Sequence, residues 1–148
     1  MSMKIRKITI CCSASFYKQA LDIERKLQER GFKVKIPHTA YIMEESGDFN
    51  VETYKTWYQN ASDWDKKTEL MKTHFQKVLD SDAILVLNYE KNGIEGYIGG
   101  NGLMEMALAF HYEKPIYVLN PVSEALSVYE EVMGMQPTFL DGDIGKIQ

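Results

Sequence analysis

Residues 96–116, GYIGGNGLMEMALAFHYEKPI, set a single carboxylate, Glu105, in an apolar run directly behind a glycine-rich turn. Gly99, Gly100, Asn101 and Gly102 can direct backbone N–H groups at one point without interference from Cβ atoms. A helix starting behind them adds a partial positive charge. A phosphate or a sugar oxygen suits such a turn, although glycine turns also arise for steric reasons alone. Glu105 falls in the first turn of a helix expected over about 102–112, where the dipole favours its ionised form. A carboxylate held ionised among Leu103, Met104, Met106 and Leu108 can attack an electrophilic carbon or support an oxocarbenium-like centre. The competing reading is a capping box, with Asn101 or Gly102 as the cap.

Other chemistries find less support. Gly100-Asn101-Gly102 begins a dinucleotide fingerprint, but Glu105 occupies its third glycine. The first strand–helix turn, Cys12-Ser13-Ala14-Ser15, has no glycine, and there is no Walker A motif. No cofactor is therefore expected. The two cysteines, Cys11 and Cys12, are adjacent and read as reduced, packed thiols. His38, His74 and His111 are scattered, no Cys/His group has zinc spacing, and no metal is expected. The formal net charge of -4 argues against a general nucleic-acid binder. No apolar run approaches the roughly 20 residues that span a bilayer. The N-terminus, Met1 to Lys7, is basic, but Ile8–Cys12 is too short for a signal-peptide core, so a cytoplasmic protein is expected.

The elements that must position these residues follow from hydrophobic periodicity. The 148 residues suit one domain. Strands are expected at 8–12, 32–36, 83–87, 115–119 and 138–140, and helices at about 16–30, 65–79, 102–112 and 123–133. The alternation predicts a single-domain α/β fold, a doubly wound parallel sheet of about five strands, flavodoxin- or Rossmann-like. Residues 38–65 contain no clear strand but many aromatics, among them Tyr41, Phe49, Tyr54, Trp57, Tyr58 and Trp64. They form a lid or binding loop, or else they cover the core or a subunit interface. Ligands bind such sheets outside the carboxyl ends of the strands, which gathers 13–16, the start of the 65–79 helix, 88–102 and Asn120-Pro121 at one edge.

Several stretches in order resemble the nucleoside 2-deoxyribosyltransferase superfamily, which includes deoxynucleoside 5'-monophosphate N-glycosidases. They are Cys12-Ser13-Ala14-Ser15-Phe16, Ser81-Asp82-Ala83-Ile84-Leu85-Val86-Leu87, and Gly102-Leu103-Met104-Glu105-Met106-Ala107-Leu108-Ala109 followed by Lys114-Pro115-Ile116-Tyr117. The resemblance covers most of the chain apart from 38–65 and the C-terminal tail. It implies that Glu105 is the nucleophile at C1' of a nucleoside or nucleotide, and that water or a second base accepts the glycosyl group. It implies further that Gly99, Gly100, Asn101 and Gly102 hold the 5' end, that Ser13, Ser15 and Phe16 line the pocket, and that Asp82 belongs to the site. It also implies a homo-oligomer, because such enzymes complete the site with a neighbouring subunit. Two positions depart from the pattern. His74 stands eight residues before Asp82, where these enzymes have an aspartate, and Ala14 stands where the glycosidases have a serine. His74 can bond a hydroxyl or donate a proton, or can be a packed core histidine. Gly99 to Glu105 also echoes, one residue short, the glycine loop of the lysine-decarboxylase-like phosphoribohydrolases, which cleave the same kind of bond. Three functions thus stand side by side: an N-glycosidase or transferase, a nucleotide sensor that kept the pocket without the chemistry, and an interaction protein in which Glu105 only caps its helix.

Overall fold

A computed structural model describes residues 4–148. Met1 to Met3, part of the basic N-terminus read above, lie outside the described residues. Five strands form one sheet: β1 (Lys7–Cys12), β2 (Lys33–Lys35), β3 (Ala83–Leu87), β4 (Ile116–Val118) and β5 (Thr138–Phe139). Their order is β2-β1-β3-β4-β5, with every pair parallel. This is a doubly wound, flavodoxin-like α/β sheet, in which the strand order reverses between β1 and β3.

Among the described residues six α-helices surround it: α1 (Tyr17–Glu29), α2 (His38–Ser46), α3 (Val51–Tyr54), α4 (Trp64–Asp80), α5 (Gly100–His111) and α6 (Tyr129–Gly134). The helix expected over 123–133 is shorter than its pattern, since 124–128 forms turns and a bend. No helix among the described residues is long and apolar enough to cross a membrane.

Strand alternation splits the core into two layers. Ile8, Ile10, Cys12, Leu85 and Leu87 pack with Ala20, Leu21 and Leu27 of α1. Cys11, Ile84 and Val86 pack on the other face with Val78 of α4 and Met106 and Ala109 of α5. Adjacent cysteines therefore face opposite sides of the sheet. Both are buried and free, as the sequence led us to expect.

The segment 38–65 folds as α2, α3 and two single turns, Thr56–Tyr58 and Ala61–Asp63. It is both cover and wall: Ala40, Met43 and Trp57 are buried, while Thr53, Tyr54, Lys55 and Trp57 also line a cavity.

A clamp fastens the carboxyl ends of β3 and β4. The buried Asn88 accepts from Asn120 N–H (2.8 Å) and donates from Nδ2 to Asn120 O (2.8 Å) and Gly96 O (3.3 Å). Asn120 Nδ2 donates back to Asn88 O at 3.0 Å. Gly96 lies against this clamp at φ +66°, where an added Cβ would sit 2.2 Å from Pro121 O. Only glycine fits there. Gly96→Ala should therefore cost on the order of 2–4 kcal/mol, read as a lower urea midpoint at unchanged slope.

Candidate functional site

At the carboxyl edge of the sheet, beside the β1/β3 reversal, lies a cavity of about 840 Å³. Ser13, His74, Gly99, Gly100, Asn101, Gly102 and Glu105 all line it.

Glu105 stands at its floor for a local reason. Gly102, Glu105, Met106 and Ala109 are the buried positions of α5, a spacing that puts them on the one face turned to the sheet. The helix begins at Gly100, two residues earlier than its apolar pattern indicates, and Leu103 N–H makes the first helical bond to Gly99 O at 3.0 Å. This overturns two expectations. Glu105 sits in the second turn, beyond the reach of a capping box, and no side chain caps this helix. The dipole is also weak that far in. Burial then dominates and pushes the carboxyl up to about 8, so Glu105 rests protonated near neutral pH and is not held ionised. Cys11, as a hydrogen-bond donor, and the charge of Lys67 oppose that rise without reversing it.

Cys11, His74 and Glu105 form a buried group whose polar atoms lie within 4.8 Å of one another. Each comes from a different element, the end of β1, α4 and α5. The Cys11 thiol is pushed well up, first by burial and then by the nearby Glu105 charge. His74 lies on the inner face of α4 one turn before Val78. Its Nε2–H donates to Ile10 O at 3.0 Å and lies 3.7 Å from Glu105 Oε2. Burial lowers His74 to about 4, so the ring is neutral. Its Nδ1, buried and without a partner, keeps a free acceptor lone pair. His74 is thus at once a packed histidine and a neighbour of the carboxyl. A thiol, an imidazole and a carboxyl are also a zinc-type donor set, assembled by the fold and invisible to sequence spacing.

Three expected site residues lie elsewhere. Ser15 is exposed in the single turn Ala14–Phe16, and Phe16 turns into the core against Tyr89 at 5.3 Å. In their place Ala14 and Tyr17 line the cavity beside Ser13. Asp82 sits at the amino end of β3, at the opposite edge of the sheet. There Arg6 N–H and Lys7 N–H donate to its carboxylate at 2.9 Å each, which holds it below the usual carboxylate range. Its role is to staple the start of β1.

Lysines that the sequence did not assign to the site supply the cations. Lys67, half-buried on the same face of α4 as His74, stands over Trp57 at 5.5 Å. Lys91, in the β3–α5 loop, donates to Ser13 Oγ at 3.2 Å and lies over Tyr97 at 5.0 Å. Lys55 lines the same cavity.

The chain matches no family model, and no curated protein matches it.

The raised Glu105 carboxyl has a measurable consequence. Between about 4.5, its ordinary value, and about 8, the folded chain binds more protons than the unfolded one. Stability from this group is therefore full below about 4.5 and is lost as pH rises through about 8. Glu105→Gln should gain on the wild type across that window, by on the order of 3 kcal/mol at about pH 7 in urea titrations. His74 acts oppositely, stability rising with pH from about 4 to 6.5, but it is present in both proteins and leaves the difference unchanged.

Proposed function

We propose that this protein cleaves or transfers at the N-glycosidic bond of a nucleoside or nucleoside 5'-monophosphate, through Glu105, as a member of the nucleoside 2-deoxyribosyltransferase superfamily. The observation that carries this reading is a lone buried carboxyl at the floor of a cavity, behind a glycine turn at the carboxyl edge of a parallel sheet.

The chemistry balances with the groups present. The Glu105 carboxyl gives up its proton and a carboxylate oxygen bonds C1' of the sugar. The C1'–N bond breaks, and the base leaves with that electron pair and takes up one proton, in net the one Glu105 released. Water then bonds C1', Glu105 departs with the electrons of the ester bond, and the water proton returns to the carboxyl. A second base in place of water makes the same step a transfer. The Cys11 donor and the Lys67 charge favour the ionised form that attack needs. His74, bonded to Ile10 O through Nε2 and 3.7 Å from Glu105 Oε2, packs its neutral ring against the carboxyl and so positions it.

A homo-oligomer and a reducing, cytoplasmic setting belong to the same reading. Phe110 and Tyr112 are exposed at the end of α5, and both cysteines are free.

One observation favours a second reading. His74 bears no charge and is committed to Ile10 O, where the resembling enzymes have an aspartate, so a nucleotide sensor without turnover also fits.

A panel of deoxynucleosides and their monophosphates, followed for free base by chromatography, separates the two. The expected outcome is base release that falls about 10³-fold or more in Glu105→Ala. If Glu105 is the nucleophile, kcat/KM should rise with pH through about 8, because the ionised form attacks. Binding without release from any member of the panel would leave the sensor.

A further inference from the structure

The cavity holds more positive charge than the proposed reaction uses. Of the five lysines that line it, Lys66 pairs with Asp63 at 3.4 Å and Lys77 donates to Ile36 O at 2.8 Å, while Lys55, Lys67 and Lys91 reach it from three separate segments: the connection before α4, α4 itself, and the β3–α5 loop. All three are half-buried. Among the described residues none of them is in a salt bridge. They are close enough for the charge of Lys55 to depress both Lys67 and Lys91, after burial, the larger cause in each. Aromatic rings fix two of them, Lys67 over Trp57 and Lys91 over Tyr97. Like charges gathered in a partly desolvated cavity are costly without a counter-anion. The carboxylates among the lining residues do not serve: Asp65 and Glu69 are exposed, and Glu105 rests protonated.

Charge and size narrow the anion. A phosphomonoester carries about −1.5 to −2, which leaves one ammonium group unmatched. A second phosphate matches it. The amino end of α5, with Gly99 and Gly100 on the cavity wall, adds its own partial positive charge. At about 840 Å³ the cavity also lies near the upper end of the roughly 300–1,000 Å³ range of small-molecule sites.

We infer that the cavity takes a nucleotide bearing a pyrophosphate, its two phosphates held by Lys55, Lys67 and Lys91 beside the amino end of α5. This rests on the reading above only in placing the sugar toward Glu105. It makes the nucleoside diphosphate, not the nucleoside or the monophosphate, the best ligand.

The test is calorimetric titration of Glu105→Gln, which binds without turning over, with a deoxynucleoside, its monophosphate, its diphosphate, and inorganic pyrophosphate. Affinity should rise at each added phosphate, by about tenfold from mono- to diphosphate, and that step should shrink as salt is raised. Pyrophosphate alone should bind and compete with the diphosphate. Lys67→Gln and Lys91→Gln should each lose about tenfold for the diphosphate and less for the nucleoside. Lys72→Gln, exposed and outside the cavity, should match the parent. Equal affinity for mono- and diphosphate, or lysine variants that bind the diphosphate as the parent does, would overturn the inference. Base release by the wild type is scored separately. Release from nucleosides without a diphosphate preference keeps the enzyme and refutes the pyrophosphate site. A lysine-dependent diphosphate preference without release does the reverse.

Discussion

The site is organised around one costly placement, a carboxyl group removed from water beneath a parallel sheet edge. Ionised and unaided, Glu105 would pay a large desolvation penalty there. The surroundings manage this with a thiol donor from Cys11, a neutral imidazole from His74 and the more distant charge of Lys67. None of these is a full counter-ion, so the group stays poised to ionise near neutral pH, without being locked in either state. The residues of the cavity floor derive their positions from this compromise.

The architecture that creates the compromise was largely legible in the sequence. Ala83–Leu87 is apolar throughout because both faces of β3 are covered, and its position as the central strand follows from that. The glycine turn and Glu105 were found by the same logic, since a polar group on the inward stripe of a helix has to be explained. The apolar pattern points to a helix start two residues too late because glycines carry no hydrophobic signal, and the true start at Gly100 puts Glu105 in the second turn instead of the first. There burial outweighs the helix dipole and keeps the carboxyl protonated.

Other parts of the site had no sequence signal. Cys11 and Cys12 are both buried, and in a strand covered on both faces nothing in the residue types says which thiol meets the carboxyl. Lys55, Lys67 and Lys91 are brought together by topology across three segments, while in the sequence each looks like an ordinary solvated lysine. Ser15 and Phe16 were placed in the pocket as a continuation of the strand-end turn. A single helical turn there rotates Ser15 outward and Phe16 into the core. Asp82 entered by resemblance, although its place before β3 already puts it at the amino edge, remote from a ligand at the carboxyl edge.

The Asn88–Asn120 clamp has an evolutionary consequence. The β3–α5 loop is anchored at the strand ends by side-chain amides and by Gly96, both outside its tip. The tip, from Lys91 to Gly93, is held by its own Lys91–Ile94 bridge, by Gly93 N–H on Glu90 Oε1, and by the Lys91 contacts to Ser13 Oγ and the Tyr97 ring. Substitutions at the tip can therefore change which group is presented over the cavity without moving Gly99 or Glu105. A fold built this way can change what its cavity accepts while its buried carboxyl stays in register.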